Sequence, residues 1–357
     1  VPAPTYRDPS SSTPRLSQLP NGEAQDFVRD EGDYWETGTA QRVGVAGFMK
    51  TMAAEFNGRE LAAYARQWIS TTEQGVPELY VLRAIAAVDP GTEQSAFSSL
   101  PLDYYAGGPC IGQAYSRTGW GASDTVVHLQ PVAPPMVGHE HGDTGSWQIW
   151  RKRRWLALEA PGRALSGFEV PSYGGTGGTT DVMWATAHNT LMFAGRGLAS
   201  TGAGVAVLNR LESEPDYFYA ATDLTPAYHS DEGDQRYGNP SVGHAEREFI
   251  FIRPLETLVI FDRMESVGSD TRKGFLVHAQ GPFVSSGANS HTATNVDQLL
   301  RVTTVAPASP TFRAIDERSA ALSFPYRLEV ETSGGGVQHF LHVVQVRDVS
   351  GQDLAID

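Results

Sequence analysis

From about residue 110 onward, apolar and polar side chains alternate within short segments, and this alternation constrains the fold more than any other feature. The segments are rich in β-branched and aromatic residues and are separated by turns of Gly, Pro, Asn and Asp. They are AYSRTGW, TVVHLQ, SWQIW, RWLALE, NTLMFAG, VAVLNRL, YFYAAT, REFIFIR, TLVIFDRM, KGFLVHA, LLRVTTV, YRLEVET and QHFLHVVQV. So many short strands predict a large antiparallel β-sandwich. No repeat of about 20–50 residues is visible, which disfavours a propeller or solenoid.

The part of the chain before these strands has helical periodicity instead. Apolar residues recur at helical spacing from Tyr34 to a stop signal at Asn57-Gly58, and ELAAYARQWIS continues the helical pattern. A third helix is expected over residues 77–88, where Asp89-Pro90 ends it. Three helices are too few for an independent helical domain, so we expect them to pack on another part of the protein.

These patterns divide the chain into three parts. Residues 1–32 are rich in Pro and Ser and lack periodicity, which is typical of an extended arm or linker. Residues 33–106 form the predicted helical segment, and residues 107–357 form the predicted antiparallel sandwich.

Charge and composition exclude several classes of protein. The formal net charge of −14 disfavours nucleic-acid binding, because a duplex must be met by a basic surface. Only three of the 27 basic residues are lysines, so most positive charge is carried by arginine, whose forked guanidinium suits carboxylates and sulfates. No apolar run approaches the roughly 18–20 residues of a membrane span. Cys110 is the single cysteine, which excludes an internal disulfide and a cysteine-based zinc site.

The strongest local motif is His139-Glu140-His141, which follows a Pro-rich loop and precedes Asp143 and a strand. Two histidines at positions i and i+2 of an extended chain point to the same side, as a pair of metal ligands does. Surface histidines in a turn are the alternative. A further hypothesis is the metal motif of metallo-β-lactamase-like hydrolases. It is disfavoured because Thr144 stands where that motif needs a histidine, and because a hairpin is predicted where that fold needs a helix.

Two other sets of residues have both a functional and a structural interpretation. The basic run RKRR at 151–154 lies between two strands, so a solvated hairpin turn is favoured over a polyanion site. The tryptophans could stack on sugar rings, but most of them alternate within strands, where core packing is the default. Trp35, at the start of a helix, is the one we expect in a cleft.

Several separated segments follow one another in an order that resembles the β-sandwich half of the heparinase II/III-like polysaccharide lyases. They are AYSRTGWGASDTVVHLQ, GHEHGDTGSWQIWRKRRWLALEAPG, ATAHNTLMFAG, YFYAATDLTPAY and REFIFIRPLETLVIFDRME. The resemblance runs from about Tyr34 to about Gly281, and its specificity lies in the order and spacing of the segments. It implies a mainly β protein in which a large antiparallel sandwich follows the last helices of an incomplete (α/α) toroid.

The resemblance also implies a structural zinc ion near the active cleft. The family's ligands are the second histidine of His-x-His, an acidic residue at the end of the second following strand, and the histidine of a His-Asn motif. These positions fall on His141, Glu159 and His188. The family usually has Asp where this chain has Glu159, and the extra methylene moves the metal by about 1 Å or weakens its binding. The alternative is that Glu159 is only a charge at a strand end and that no metal binds.

The chemistry implied by the family is β-elimination. A base removes the C5 proton of a uronic acid, the carboxylate is neutralised, and an acid protonates the leaving glycosidic oxygen. His139 matches the family position that lines the cleft, as general base or as a residue that orients the carboxylate. Tyr228 is a candidate acid–base group or substrate contact, and the alternative is a sandwich tyrosine whose hydroxyl bonds the backbone. Asn189 and Asp143 are expected to hold loops rather than to touch sugar.

The helical segment departs from the family pattern. The family toroid supplies an Asn/His pair and a tyrosine, commonly in an E-G-x-x-Y helix, and this chain has no tyrosine in the turn after Glu36. We expect Trp35, Glu36 and Arg42 to contact substrate from this segment, and Arg117 to do so from the sandwich. An additional N-terminal chain is expected to complete the toroid.

These inferences predict a secreted or periplasmic polysaccharide lyase that contains structural Zn²⁺ and acts on an acidic, uronic-acid-containing polysaccharide or oligosaccharide. Whether it forms a homo-oligomer is left open. Three alternatives remain. They are a non-catalytic glycan-binding sandwich module, one chain of a two-chain lyase, and a uronyl epimerase that uses the same proton abstraction.

Overall fold

The computed structural model describes residues 49–72, 91–108, 111–133, 142–158, 185–198, 204–230, 238–316 and 326–351. The helices are residues 49–55, α1 (Glu60–Thr72) and the short α2 (Thr225–Tyr228). The strands are β1 (Asp103–Gly108), β2 (Ile111–Arg117), β3 (Thr125–Val132), β4 (Ser146–Arg151), β5 (Arg154–Ala157), β6 (Leu191–Phe193), β7 (Val207–Ser213), β8 (Tyr217–Asp223), β9 (Val242–Ile252), β10 (Thr257–Ser266), β11 (Arg272–Ala279), β12 (Val284–Gly287), β13 (Ser290–Asn295), β14 (Gln298–Ala306), β15 (Thr311–Asp316), β16 (Tyr326–Ser333) and β17 (Gly336–Asp348). The predicted class, mainly antiparallel β with helices near the N-terminus, is confirmed.

Every segment predicted as a strand overlaps a strand of the structure. Strands β1, β12, β13 and β15 were not predicted. Three of these four lie at the edge of a sheet. Edge strands are kept short and polar, so they lack the regular alternation that marks a strand with a buried face.

The predicted helices are present where the structure describes them. The first ends at residue 55, and Gly58 follows with a φ of 80°, a conformation that suits the glycine of the predicted stop signal. Helix α1 packs Trp68 against Met49, Ile69 and Phe97. The arm over residues 1–32, the start of the first helix and the helix predicted over 77–88 lie outside the described residues, and the domain boundaries stay a prediction.

Three antiparallel sheets make two packed layers. One layer is an eight-stranded sheet of order β12-β13-β14-β17-β10-β9-β8-β7. The other joins a five-stranded sheet, β1-β2-β3-β4-β5, and a four-stranded sheet, β15-β16-β11-β6. Across the interface β3 contacts β7 and β8, β5 contacts β13 and β14, and β11 contacts β10. A single apolar core fills the space between the layers, with Trp147, Phe249, Phe275 and Phe340 fully buried.

The second layer has a seam at β11. Strand β6 pairs with only three residues of β11, Lys273 to Phe275. Beyond them the Leu158 N–H, just after β5, donates to the carbonyl of His278 at 3.3 Å. The two smaller sheets therefore meet side by side along one strand.

Strands β9 and β10 form the hairpin predicted from REFIFIRP and LETLVIFDRM. Their inward residues are apolar except for Ser266 at the end of β10 and the charged pair Arg247 and Asp262. These two face each other in register and are both completely buried. The Arg247 guanidinium donates to the two oxygens of Asp262 at 2.6 and 3.0 Å. Burial raises the pKa of Asp262 and the hydrogen bonds from Arg247 oppose that rise. A buried charge is tolerated only when it is paired and hydrogen-bonded, and this pair meets that condition.

The basic run RKRR closes the β4–β5 hairpin, as predicted, with Lys152 and Arg153 at positive φ. Its charges are paired rather than free. Arg151 donates to Glu256 and to Asp348, each at 2.9 Å, and the Lys152 ammonium lies 2.7 Å from Asp348. Arg154 meets Asp297 at 3.3 Å. Three of the four cations thus fasten this turn to the eight-stranded sheet, at the β9–β10 and β13–β14 turns and at the end of β17.

The ion pairs of this turn predict an acid-dependent loss of stability. Hydrogen bonds from Lys152 and Gln298 lower the pKa of Asp348 below its ordinary range. A lowered folded-state pKa stabilises the protein above the unfolded value of about 3.9, and this contribution is lost as the pH falls toward the folded value. We expect Asp348→Asn to melt at a lower temperature than the wild type at pH 7, and the difference to shrink below about pH 4. An exposed control, Glu55→Gln, should show no such pH-dependent difference in thermal unfolding followed by circular dichroism.

Removing one partner of the buried Arg247–Asp262 pair should lower the free energy of unfolding more than replacing both partners with apolar residues. Asp262→Ala leaves the Arg247 charge buried without its carboxylate, and we expect a loss of about 3–5 kcal/mol in the free energy of unfolding. The double variant Arg247→Met/Asp262→Leu removes both charges and should lose less than Asp262→Ala alone. Urea unfolding at fixed pH measures both values. If the double variant were as unstable as Asp262→Ala, the unpaired charge would not be the cause.

Candidate functional site

The chain positions proposed to bind metal and substrate fall largely outside the described residues. His139, expected to be catalytic, and His141 and Glu159, expected to bind zinc, lie there. Trp35, Glu36 and Arg42, expected to contact substrate, lie there too. Tyr228, Arg117 and His188 lie within the described residues. For His139 and His141 the structure describes the chain on both sides, at residues 133 and 142, and for Glu159 it describes Leu158 directly before it.

The segment that follows His141 is held against the end of β3. The Gln130 side chain donates to the carboxylate of Asp143 at 2.9 Å, and the Gly145 N–H donates to the Gln130 carbonyl at 2.8 Å. The hydroxyl of Thr144 accepts a hydrogen bond from the Ala133 N–H at 3.2 Å. The Asp143 carboxylate thus braces this loop, the role expected from the sequence.

Asn189 ties the His-Asn motif to three other segments. Its buried amide nitrogen donates to the Trp147 carbonyl in β4 at 2.7 Å and to the Leu158 carbonyl at 3.1 Å. Its amide oxygen accepts the backbone N–H of His278 in β11 at 2.8 Å. Leu158 is the residue directly before Glu159, so the amide of Asn189 fixes the entry to that segment. Asn189 holds loops, as expected.

Arg247 binds the same region from the opposite layer. The guanidinium nitrogen Nη1 donates to the carbonyl of Gly145 at 2.7 Å and to the carbonyl of Asn189 at 2.9 Å. One side chain therefore fixes the residues after His141 relative to the residue after His188. The sequence contained a signal for this contact, because Arg247 and Asp262 are the charged residues at inward positions of two strands that are mostly apolar on that face. The sequence could not identify its backbone acceptors.

His188 lies completely buried beside this network. It follows a short 3₁₀ helix (Ala185–Ala187), and its N–H donates to the Ala185 carbonyl at 3.1 Å. Among the described residues no three His, Cys, Asp or Glu side chains are grouped to hold a metal. Since two of the three proposed ligands fall outside that part of the chain, the ligand set stays a prediction.

Tyr228 occupies the core rather than a cleft. It is fully buried, packs edge-on against Phe193 with ring centroids 5.2 Å apart, and donates its hydroxyl to the Leu191 carbonyl at 2.8 Å. Burial raises the pKa of this hydroxyl. These contacts favour the structural alternative over acid–base catalysis, because the hydroxyl is already bonded and shielded from a sugar. The sequence DLTPAY could not distinguish a buried tyrosine from one at a cleft, because Tyr228 ends a four-residue helix that is too short to show a buried face.

Arg117 and the Asp143 loop lie near opposite ends of strand β3 in the five-stranded sheet. It pairs with Val126 near the start of β3, whereas the loop after His141 is bound by Gln130 near the end of β3. Four residues of strand separate Val126 from Gln130, a distance of about 13 Å. The structure therefore does not bring Arg117 to the same place as His188 and the Asp143 loop.

The tryptophans within the strands of the sandwich pack in the core, as expected from their alternation. Trp147, Trp150 and Trp155 are buried within β4 and β5. Trp120 is partly exposed, and Trp35 and Trp184 lie outside the described residues. No helix in the described part of the chain is long and apolar enough to cross a membrane.

Comparison with known proteins identifies the fold. No protein-family model matches the chain, and no curated protein matches its sequence. Among solved structures, the heparan sulfate lyase HepC from Pedobacter heparinus is 16% identical, with a TM-score of 0.58 over 91% of this chain and 44% of its own. The heparinase III BT4657 gene product is 12% identical, with a TM-score of 0.58 over 90% of this chain and 43% of its own. A further heparinase III is 14% identical, with a TM-score of 0.58 over 95% of this chain and 47% of its own.

The chain thus spans less than half the length of these lyases and matches them along nearly all of its own length. The resemblance inferred from the ordered motifs is confirmed at the level of the fold, which this chain shares with heparan sulfate lyases of the heparinase III type.

Proposed function

We propose that this chain forms part of a polysaccharide lyase that cleaves a uronic-acid-containing glycan by β-elimination. The shared fold supports a lyase in general terms. The observation that carries the proposal is the convergence of three flanking segments, because the residues after His141, before Glu159 and beside His188 are bound to one another through Asn189 and Arg247. These are the segments that the motifs had marked as the site.

In the proposed reaction His139 acts on the uronic acid. Its imidazole accepts the C5 proton, or else it orients the neighbouring carboxylate, so that negative charge is tolerated as the C5–H bond breaks. The C4–O bond then breaks, a C4=C5 double bond forms, and the leaving oxygen gains a proton. Tyr228 has no part in this scheme, because its hydroxyl is buried and bonded to Leu191.

A zinc ion held by His141, Glu159 and His188 belongs to the same proposal. Two imidazoles and a carboxylate are a donor set that Zn²⁺ accepts, and water or another carboxylate completes a tetrahedron. The fit is supported by Asn189, whose side chain holds the residue before Glu159 next to the His-Asn motif. The ion would fasten these loops together and would take no part in the proton transfers.

A secreted or periplasmic location belongs to the proposal as well, because a polymeric acidic glycan is met outside the cytoplasm. A glycan-binding module without cleavage is the second candidate. It is favoured by the burial of Tyr228, since one of the two groups expected to transfer protons is bonded to the Leu191 carbonyl in the core.

Cleavage is tested by incubating the protein with alginate, heparin, hyaluronan, glucuronan and ulvan and following the absorbance of unsaturated uronate. We expect one of these to give a signal, and His139→Ala to lower its rate by about 100-fold or more because a proton-transfer group is lost. Zinc content and melting temperature should hardly change in that variant. His339→Ala, which alters an exposed histidine of β17, is the control and should keep full activity. If none of the five polysaccharides gave unsaturated uronate, with zinc present and an N-terminal toroid segment supplied, the result would contradict the lyase proposal and favour the binding module.

The metal is tested separately by elemental analysis of the purified protein. We expect about one zinc per chain, and its loss in His141→Ala or His188→Ala because each removes one of three protein ligands. His339→Ala should retain the metal. Full zinc content in His141→Ala would show that the ligand assignment is wrong, whatever the outcome of the activity assay.

A further inference from the structure

One face of the five-stranded sheet is turned away from the core and carries aromatic side chains together with an arginine. Ala114 of β2 lies in the core, so the alternate residues Tyr115 and Arg117 lie on the opposite face. Tyr104 of β1 is directly across from Tyr115 and shares that face. Trp120 follows in the turn after β2.

The Arg117 guanidinium is held in one place by aromatic packing. Its central carbon lies 3.7 Å above the ring of Trp120, a cation–π contact. Trp120 is itself fixed, because its indole N–H donates to the Leu100 carbonyl at 3.2 Å and its ring lies 5.8 Å from Phe97. One face of the guanidinium is covered by the indole, and the edge that carries the N–H donors is left for another partner.

That edge has no protein partner in the described part of the chain. Arg117 is only 7% exposed, yet it makes no hydrogen bond or ion pair among the described residues. The charges of Asp103 and Asp124 act on Arg117, but neither carboxylate is hydrogen-bonded to it. Asp103 accepts hydrogen bonds from Arg253 and Ser213 at one oxygen, and Asp124 accepts the Gly121 N–H at 2.5 Å. Burial lowers the pKa of Arg117 to about 10, which leaves it cationic at neutral pH. Buried guanidinium groups are normally paired, as Arg151 and Arg247 are here.

An exposed aromatic ring lies on the same face of the sheet as this cation. Tyr104 is 64% exposed, which is unusual for a large aromatic side chain, and it is the cross-strand neighbour of the partly buried Tyr115. A tyrosine ring offers an apolar surface with a polar tip, which suits the apolar face of a sugar ring and its hydroxyls. A fixed cation beside an open aromatic surface is a site for an anionic, ring-shaped ligand.

We propose that Tyr104, Tyr115, Arg117 and Trp120 form a subsite that binds one acidic sugar residue through its carboxylate or sulfate. The inference rests on the proposed function and deepens it, because it assigns a distal contact for the same glycan. The sugar bound here is not the one whose bond breaks, since about 13 Å of β3 separates this subsite from the loop after His141. Arg117 therefore keeps the substrate-binding role expected from the sequence, but at a different point along the glycan.

The subsite is tested by equilibrium binding of size-defined oligosaccharides to the full chain in the His139→Ala background. A heparin octasaccharide presents both sulfates and carboxylates, and a hyaluronan octasaccharide presents carboxylates alone. We expect Arg117→Gln to weaken binding of at least one of them by about tenfold, because a charge-assisted hydrogen bond is lost. Arg117→Lys should recover only part of this loss, since an ammonium lacks the guanidinium fork. A loss with heparin alone identifies sulfate as the ligand, and a loss with both identifies carboxylate.

Tyr104→Ala is the second variant, because this exposed side chain is removed without disturbing the core, and it should weaken binding by about fivefold. Arg210→Gln is the matched control, since Arg210 also lies over a tyrosine ring but is paired with Glu212 on the eight-stranded sheet. Melting temperatures identify any variant that fails to fold.

The subsite proposal would be overturned if Arg117→Gln and Tyr104→Ala bound the octasaccharides with the same affinity as Arg210→Gln. Failure of the parent chain to bind either oligosaccharide would overturn it too. If binding behaves as expected while wild-type protein forms no unsaturated product, the lyase proposal fails and the subsite stands.

Discussion

The guanidinium of Arg247 is the group on which the rest of the structure depends. It lies in the core between the two layers, where it binds both oxygens of Asp262 in its own layer and the carbonyls of Gly145 and Asn189 in the other. Because a buried charge that loses its partners is very costly, the four acceptors must stay in place together. The layers are therefore fixed by a directional polar contact as well as by apolar packing.

This contact explains why the candidate site is built where it is. The backbone carbonyl of Asn189 accepts a hydrogen bond from Arg247. Its side chain forms hydrogen bonds with backbone groups of Trp147, Leu158 and His278. The residue before Glu159 and the residue after His188 are thereby tied to strands β4 and β11. A site assembled from such loops is positioned by the core, which is how precise geometry is obtained from irregular backbone.

The sequence predicted the fold well and the site only in part, for physical reasons. Strands with one buried face must alternate, so the sandwich and the β9–β10 hairpin were visible in the pattern, whereas the edge strands β1, β12 and β15 were not. The acceptors of Arg247 are backbone carbonyls, which carry no signature in the sequence. Tyr228 and Arg117 illustrate the same limit, since the identity of a residue does not tell whether its polar group already has a partner. The basic run RKRR is a further example, because its pairing with Glu256, Asp348 and Asp297 depends on residues that are distant along the chain.

The seam in the second layer has a consequence for how the molecule opens. Strand β11 is shared lengthwise, because β6 pairs with its first half and Leu158, just after β5, bonds the His278 carbonyl in its second half. Among the described residues the five-stranded and four-stranded sheets are separate ladders. Cooperative unfolding units tend to follow continuous ladders. The two halves of this layer can therefore exchange their amide protons as separate units, linked by the backbone hydrogen bond from Leu158 to His278 and by the side chain of Asn189.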